Sequence, residues 1–433
     1  MTNGTNGIAP ETYKPRIADT LINTYLKLFG AIEVSGPKWC GKTWTSLAHA
    51  RSVTYVDRGS NLQICTADPA YALTGETPHV VDEWQRVPAI WDTVRHAVDE
   101  AAGEKGLWLL TGSSTPRKGE TSHSGAGRIG LVRMHPMTLQ ESGDSTGKVS
   151  LRRLFEGRFA PVQCPNGIEP LARLACRGGW PDIVEMDADA VRPVIRSYLD
   201  SLHDQSIPAL GGNPRISRRL CLLLARNLGQ SATLTTLAKD VYATDEGQKP
   251  SDENEREISK HLDLLARMYL IDEVPGWVPA SRSPARMRVK PKRYFADPSL
   301  AVSLLGLSPR SLLEDWQTFG LAFENLCMRD LDVYARALPD AGGTRQGTAL
   351  LVVIPQTAAR YGADYTLAPG DRLCLGEGPV LQWEDWPGFV PAAVENAAVV
   401  QYVLPMRLHG RLHHVEAGAW WNGSGTGVHS LTR

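Results

Sequence analysis

Residues Gly36 to Thr43 read G-P-K-W-C-G-K-T, which fits the spacing G-x-x-x-x-G-K-[ST] of a phosphate-binding loop. Glycines at the two ends of such a loop let successive backbone N–H groups turn inward towards a β-phosphate. At these positions Lys42 would reach the β- and γ-phosphates, and the Thr43 hydroxyl would ligate the Mg²⁺ that bridges them. Pro37, Lys38, Trp39, Cys40 and Gly41 form the body of the loop, and Trp44 follows it. About 40 residues further on, His79-Val80-Val81-Asp82-Glu83 ends an apolar pair in two acids. Asp82, at a strand's end, would hold the metal ion through water, and Glu83 would polarise the attacking water. A third apolar run, Leu107 to Leu110, ends in Thr111-Gly112-Ser113-Ser114. Its small hydroxyls suit orienting that water or sensing a γ-phosphate, and they equally suit a plain polar turn.

Such residues act together only where parallel strands bring them to one edge of a sheet. Ala31 to Ser35 is a short apolar run with β-branched residues, as expected of a buried strand before the loop. Thr43 to Ala50 reads as the first helix, whose N-terminus would add its positive dipole end to the anion site. Pro88 to Ala102 places Trp91, Val94, Val98 and Ala101 on one helical face, supplying a crossover helix between parallel strands.

The order Y-K-P-R-I, G-P-K-W-C-G-K-T, V-V-D-E-W-Q-R-V-P, L-L-T-G-S-S, G-A-G-R-I, R-M-H-P-M-T-L-Q-E resembles the AAA-superfamily predicted ATPases of prokaryotes. Those proteins carry a C-terminal domain of unknown function, made of a winged helix and a restriction-endonuclease-like region. The likeness covers roughly the first 335 residues well and the remainder poorly. It implies an α/β fold, a P-loop NTPase parallel sheet of AAA type with helices on both faces. A helical and winged-helix domain and a degenerate α+β nuclease-like tail would follow. Lys42, Thr43, Asp82 and Glu83 become the nucleotide-site residues, Ser113 or Ser114 holds the sensor position, and the ligands are ATP and Mg²⁺. Adenine preference rests on the resemblance alone. Arg128, in Gly125-Ala126-Gly127-Arg128-Ile129, becomes the candidate arginine finger of a homo-oligomer, neutralising charge on a neighbour's γ-phosphate. It also suits an ordinary surface position in a glycine-rich loop.

At 433 residues the chain has room for two or three domains with sizeable cores. Its 46 basic and 47 acidic residues nearly cancel, so any contact with nucleic acid must be local. Met1 to Pro10 has no charged n-region or apolar h-region, and no run of 18 apolar residues exists, so neither a signal peptide nor a membrane span is expected. The seven cysteines form no C-x-x-C pair and read as thiols of a cytoplasmic protein. Cys40 stands apart, because a thiol in a phosphate loop could be partly thiolate and reactive.

Punctuation along the chain divides it into a disordered N-terminus (1–10), the ATPase domain (11–145), a helical lid or connector (168–214), a winged helix (215–310), a partial restriction-endonuclease-like region (311–377) and an irregular tail (378–433). Val191 to Ile207 is expected as one helix. Three helices from Ile216 to Tyr269 and two strands, Leu270 to Val274 and Arg293 to Asp297, make the winged helix, with Glu255 to Arg267 as its recognition helix. The basic stretch Arg282, Arg286, Arg288, Lys290, Lys292, Arg293 could grip DNA phosphates. The acidity of the third helix argues against entry into a major groove and leaves a protein partner open. Glu324 takes the acidic helix position of a nuclease fold and Asp364 its strand position. Glu377-Gly378-Pro379 stands where Glu-x-Lys belongs, and no lysine occurs after Lys292. These residues suit either a decayed nuclease domain or a slipped reading frame. The expected function is Mg²⁺-dependent ATP hydrolysis gating the winged helix towards a partner. A nucleotide-switched DNA-binding regulator with negligible turnover is the alternative, and an ATP-regulated nuclease is disfavoured by the missing lysine.

Overall fold

The computed structural model describes residues 7–115, 124–155, 167–242, 250–274 and 290–338, together with six short strands between residues 350 and 432. Helix α1 (Ala18–Tyr25) precedes β1 (Ala31–Ser35), α2 (Lys42–Leu47), β2 (Ser52–Tyr55), α3 (Asn61–Ala67), β3 (His79–Asp82), α4 (Ala89–Glu100), β4 (Trp108–Gly112) and β5 (Ile129–Arg133). The strands form one parallel sheet in the order β2-β3-β4-β1-β5, with Ala31 in register with Trp108 on one side and Ile129 on the other. Helical crossovers cover both faces, so the central strands are buried throughout and their alternating apolar residues feed two cores. Ile32, Val34, Val80, Leu109 and Val132 join Ile22 of α1 in one core. Ala31, Val81, Leu110 and Ile129 join Ile90, Val94 and Val98 of α4 in the other. The half-buried run of β2 has too little apolar contrast to announce a strand. Residues 1–6 lie outside the described residues, but Ile8 is not loose as expected: its N–H donates to the Leu47 carbonyl at 2.9 Å.

Five elements follow: α5 (Leu151–Phe155), α6 (Ile168–Arg177), α7 (Arg192–Ser201), a π-helical turn (Leu202–Ser206) and α8 (Ile207–Ala209). The π turn divides the single helix expected from Val191 to Ile207. Next come α9 (Pro214–Arg226), α10 (Leu234–Tyr242) and α11 (Asp252–Arg267), then an antiparallel hairpin of β6 (Ile271–Val274) and β7 (Lys292–Phe295). Ser251 caps α11 by accepting the Asn254 N–H at 3.2 Å, and Asp252, Glu253 and Glu255 fill the first turn, where the helix dipole favours acids. Arg282, Arg286 and Arg288 lie outside the described residues.

Helices α12 (Pro298–Leu304), α13 (Pro309–Glu314) and α14 (Trp316–Arg336) close this unit and change the reading of Glu324. Its carboxylate is buried, accepting the Tyr294 hydroxyl at 2.5 Å and the Lys292 ammonium at 3.0 Å. Beside it, Asn325 bonds both the N–H and the carbonyl of Phe295. Glu324 is therefore a brace that fixes β7 to α14, its Oε1 already engaged by two donors. Arg329, buried between Asp297 and Asp330 at 2.7 Å from each, ties α14 to the start of α12. Asp364 and Glu377 lie outside the described residues.

The final segment is also more regular than expected. Strands β8 (Leu350–Val352), β9 (Arg372–Leu373), β10 (Leu381–Gln382) and β11 (Val403–Pro405) pair as β8 with β11 and β9 with β10. A longer hairpin joins β12 (Val415–Asn422) to β13 (Gly425–Thr432), with Asn422 opposite Gly425. Asn-Gly-Ser-Gly at the tip is turn chemistry that favours such a hairpin, a signal stronger than the missing apolar period.

Candidate nucleotide site

The loop leaves β1 at Ser35 and passes tightly against β5. A Cβ on Gly36 would lie 2.4 Å from the Met134 carbonyl oxygen, so only glycine fits. Gly41 has φ +97°, a conformation glycine adopts freely, and it turns the chain into α2. Lys42 is buried, and its ammonium donates to the Pro37 carbonyl at 2.9 Å across the loop. The Thr43 hydroxyl donates to Asp82 Oδ1 at 2.7 Å, and Thr111 donates to the same oxygen at 2.5 Å. Glu83, next along, adopts the left-handed conformation (φ 60°). Its Oε2 accepts Gln85 Nε2 at 2.6 Å and the Ser113 hydroxyl at 3.2 Å. Thr43, Asp82, Glu83 and Ser113 thus converge where β1, β3 and β4 end. Ser114 makes no side-chain hydrogen bond among the described residues, and Trp44 stands exposed on α2.

A hydroxyl and a carboxylate in direct contact are hard oxygen donors. They suit Mg²⁺, which takes one or two protein ligands and draws the rest from water and phosphate. Among the described residues no group of three or more His, Cys, Asp or Glu side chains could hold a metal, which leaves this pair as the candidate.

The middle of the loop is gripped from outside the sheet. Trp39, also left-handed at φ 71°, stacks on Trp180 with ring centroids 5.4 Å apart, lies 6.0 Å from Tyr198, and donates its indole N–H to Asp182. Lys38 reaches Ser206 of the π turn at 3.1 Å. Cys40 is fully buried in the core, and its carbonyl accepts Arg16 Nη1 at 2.7 Å. Burial removes the access a reactive thiol requires, so the expected reactivity of Cys40 does not hold. Arg16 also pairs with Glu141 at 3.0 Å, both side chains buried. Burial alone would raise the Glu141 carboxyl, but Arg16 and the N–H groups of Thr138 and Ile17 hold it below its ordinary value. This pair joins Y-K-P-R-I to T-L-Q-E, two segments far apart in sequence, and reading along the chain gave neither residue a role.

Arg128 sits at the opposite edge of the sheet. Its carbonyl accepts the Ala31 N–H at 3.2 Å, at the start of β1, and its half-exposed guanidinium pairs with Asp99 of α4 at 2.9 Å. It does not approach the loop of its own chain.

The helical unit meets the site through Thr115. Thr115 N–H donates to the Arg267 carbonyl at 3.0 Å, its own carbonyl accepts Arg267 Nη2 at 2.8 Å, and its hydroxyl lies 2.8 Å from the Tyr269 hydroxyl. Nearby, Asp272 of β6 accepts Arg133 at 2.9 Å and His135 at 3.0 Å. Burial would raise the Asp272 carboxyl, but His135 and Arg133 beside it push it down to about 2. Thr111, Ser113 and Thr115, at alternate positions, therefore contact Asp82, Glu83 and the end of α11 in turn.

Beneath the acids, Glu33 of β1 is buried with one donor, Trp84 Nε1 at 3.3 Å. Burial raises its carboxyl from 4.5 to about 7. A carboxyl that holds its proton more tightly when folded lends stability that is full below about pH 4.5 and is lost as pH rises through 7. Glu33→Gln should therefore leave stability nearly unchanged at pH 5 and raise it by up to about 3 kcal/mol at pH 8, at 1.36 kcal/mol per pKa unit. Urea melts of both proteins at the two pH values check this. Equal stability at pH 8 would refute it.

This sheet order and phosphate loop define a P-loop NTPase domain of the AAA type. Residues 29–143 match the family described as AAA domain, and residues 168–311 match the domain of unknown function DUF8612. Uncharacterized proteins of Mycobacterium bovis and Mycobacterium tuberculosis are each 24% identical over 305 residues, which are 69% of this chain and 61% of those proteins. The chain thus spans less than two thirds of the curated relatives it matches. Among solved structures, a Walker-type ATPase of Pyrococcus abyssi is 13% identical, with 69% of this chain and 98% of that chain covered and a TM-score of 0.39. A variant of Thermotoga maritima RuvB is 15% identical, covering 63% and 94% with a TM-score of 0.27. The Aeropyrum pernix ORC1 protein in complex with DNA is 16% identical, covering 69% and 94% with a TM-score of 0.26. Among the described residues no helix is long and apolar enough to cross a membrane.

Proposed function

We propose that this protein binds ATP with Mg²⁺ and hydrolyses it, and that its nucleotide state sets the posture of α9, α10, α11 and the β6–β7 hairpin, a winged helix, towards a partner. The observation that carries this reading is the direct contact of Thr43 with Asp82, with Glu83 beside it and Lys42 in the loop. Thr43 and Asp82 would hold the metal ion, which when bound offsets phosphate charge. Glu83 accepts the proton of the attacking water, and Ser113 keeps the Glu83 carboxylate in place. Thr115 supports the gating, since it bonds to α11 one alternate position after the residue that holds Glu83.

The exposed face of α11 bears Asp252, Glu253 and Asp263 against Arg256 and Lys260. Such a face repels a phosphate backbone, which favours a protein over DNA as partner. Steady-state ATP hydrolysis by the full chain with and without duplex DNA tests the reading. Turnover that DNA leaves unchanged is expected. Negligible turnover together with a gel shift that weakens steeply with salt would instead favour a nucleotide-switched DNA-binding regulator.

Lys42→Ala should abolish binding of labelled Mg·ATP, because the phosphates lose their principal cationic partner. An unchanged thermal melt shows that the loss is local. Retained affinity in a folded variant would remove Lys42 from the site.

A further inference from the structure

Gln85 makes the shortest hydrogen bond to Glu83. Its Nε2 donates to Glu83 Oε2 at 2.6 Å and to the Ser113 hydroxyl at 3.2 Å. The amide orientation is chemically fixed, because the reverse rotamer would press two oxygens together at the shorter distance. Among the described residues its own Oε1 is buried with no partner. A buried acceptor without a donor is costly, and native folds keep few of them. The backbone is equally constrained. Glu83 is left-handed, and Gln85 sits in the middle of a tight turn, Trp84–Arg86, anchored by the fully buried Trp84. A Cβ on Gly112 would come within 3.0 Å of Trp84 Nε1 and 3.2 Å of Gln85 Oε1, so the neighbouring strand leaves Gln85 its space.

We infer that Gln85 is a positioning residue: with Ser113 it clamps one oxygen of Glu83, leaving the other oriented to take the proton of the attacking water. This rests on the proposed role of Glu83 as the base. Two donors on Oε2 stop the carboxylate from rotating, and misplacing a base by about 1 Å can cost up to about 10²-fold in rate. Among the described residues Gln85 makes no hydrogen bond to Lys42, Thr43 or Asp82, so its effect falls on the chemical step and not on nucleotide affinity.

Single-turnover hydrolysis of Mg·ATP by the full chain tests this, with affinity measured in parallel. Gln85→Ala should slow hydrolysis about tenfold while affinity stays within about twofold. In a Glu83→Gln background the same substitution should change the rate less than about twofold, because there is no longer a base to position. An unchanged or faster rate for Gln85→Ala in the wild-type background overturns the inference. So does an equal loss in both backgrounds, or a loss of ATP affinity, since either makes Gln85 a support of the fold. If Glu83→Gln itself hydrolyses at the wild-type rate, the base assignment fails first. If Glu83→Gln is slow and Gln85→Ala is not, only the clamp fails.

Discussion

Replacing Arg128 by alanine should lower ATP turnover about 10³-fold while nucleotide affinity stays nearly intact, the lower end of what an arginine finger contributes. Parallel strands rise about 3.3 Å per residue, so Arg128, level with the start of β1, stands on the order of 15 Å from the loop that follows Ser35. No rotamer of its side chain spans that distance within one subunit. Its guanidinium is instead held at the surface by Asp99, whose carboxyl this hydrogen bond lowers below its ordinary value. Any role in hydrolysis must therefore be played in a second copy of the chain. Turnover per subunit should rise with protein concentration in the wild type, and mixing Arg128→Ala with Lys42→Ala subunits should restore part of the activity. A strict monomer with concentration-independent turnover would leave Arg128 a surface ion pair.

Glu83→Gln should retain ATP affinity and lose about 10²-fold or more in hydrolysis, the scale of losing a general base. The amide keeps the shape of the carboxylate but cannot accept a proton at neutral pH. It also sets an NH₂ group or a carbonyl where Oε2 now receives two donors. Binding is preserved because Lys42, Thr43 and Asp82 are untouched. Rapid-quench hydrolysis with equilibrium binding of labelled nucleotide separates the two effects. A wild-type rate would strike Glu83 from its role.

The sheet and the loop were legible because each rests on a local rule. A buried parallel strand must be apolar, and a phosphate loop must carry its glycines and lysine at fixed spacing. Asp82, Glu83 and Ser113 could be found in the same way, as polar residues at strand ends. Gln85 and Thr115 could not, since each matters only through a partner that the fold brings near: Glu83 and Arg267. Arg16 and Glu141 show the same limit over 125 residues of separation. Glu324 misled in the opposite direction. An acid on an amphipathic helix looks the same in sequence whether it will hold a metal or accept a tyrosine hydroxyl in a packed interior. The closing hairpin was hidden because V-E-A-G-A-W-W-N and G-T-G-V-H-S-L-T keep no strict apolar alternation, although the Asn-Gly-Ser-Gly between them was in plain view.

The alternate placement of Thr111, Ser113 and Thr115 makes the chain after β4 a ruler as well as a tether. β4 ends at Gly112 and the chain bends at Ser113 and Ser114, so the three hydroxyls reach Asp82, Glu83 and Tyr269 only at this spacing. Adding or removing a single residue between positions 111 and 115 would shift the Thr115 backbone groups off Arg267 and its hydroxyl off Tyr269. The length of this segment, more than its composition, is what keeps Asp82 and Glu83 in step with the end of α11.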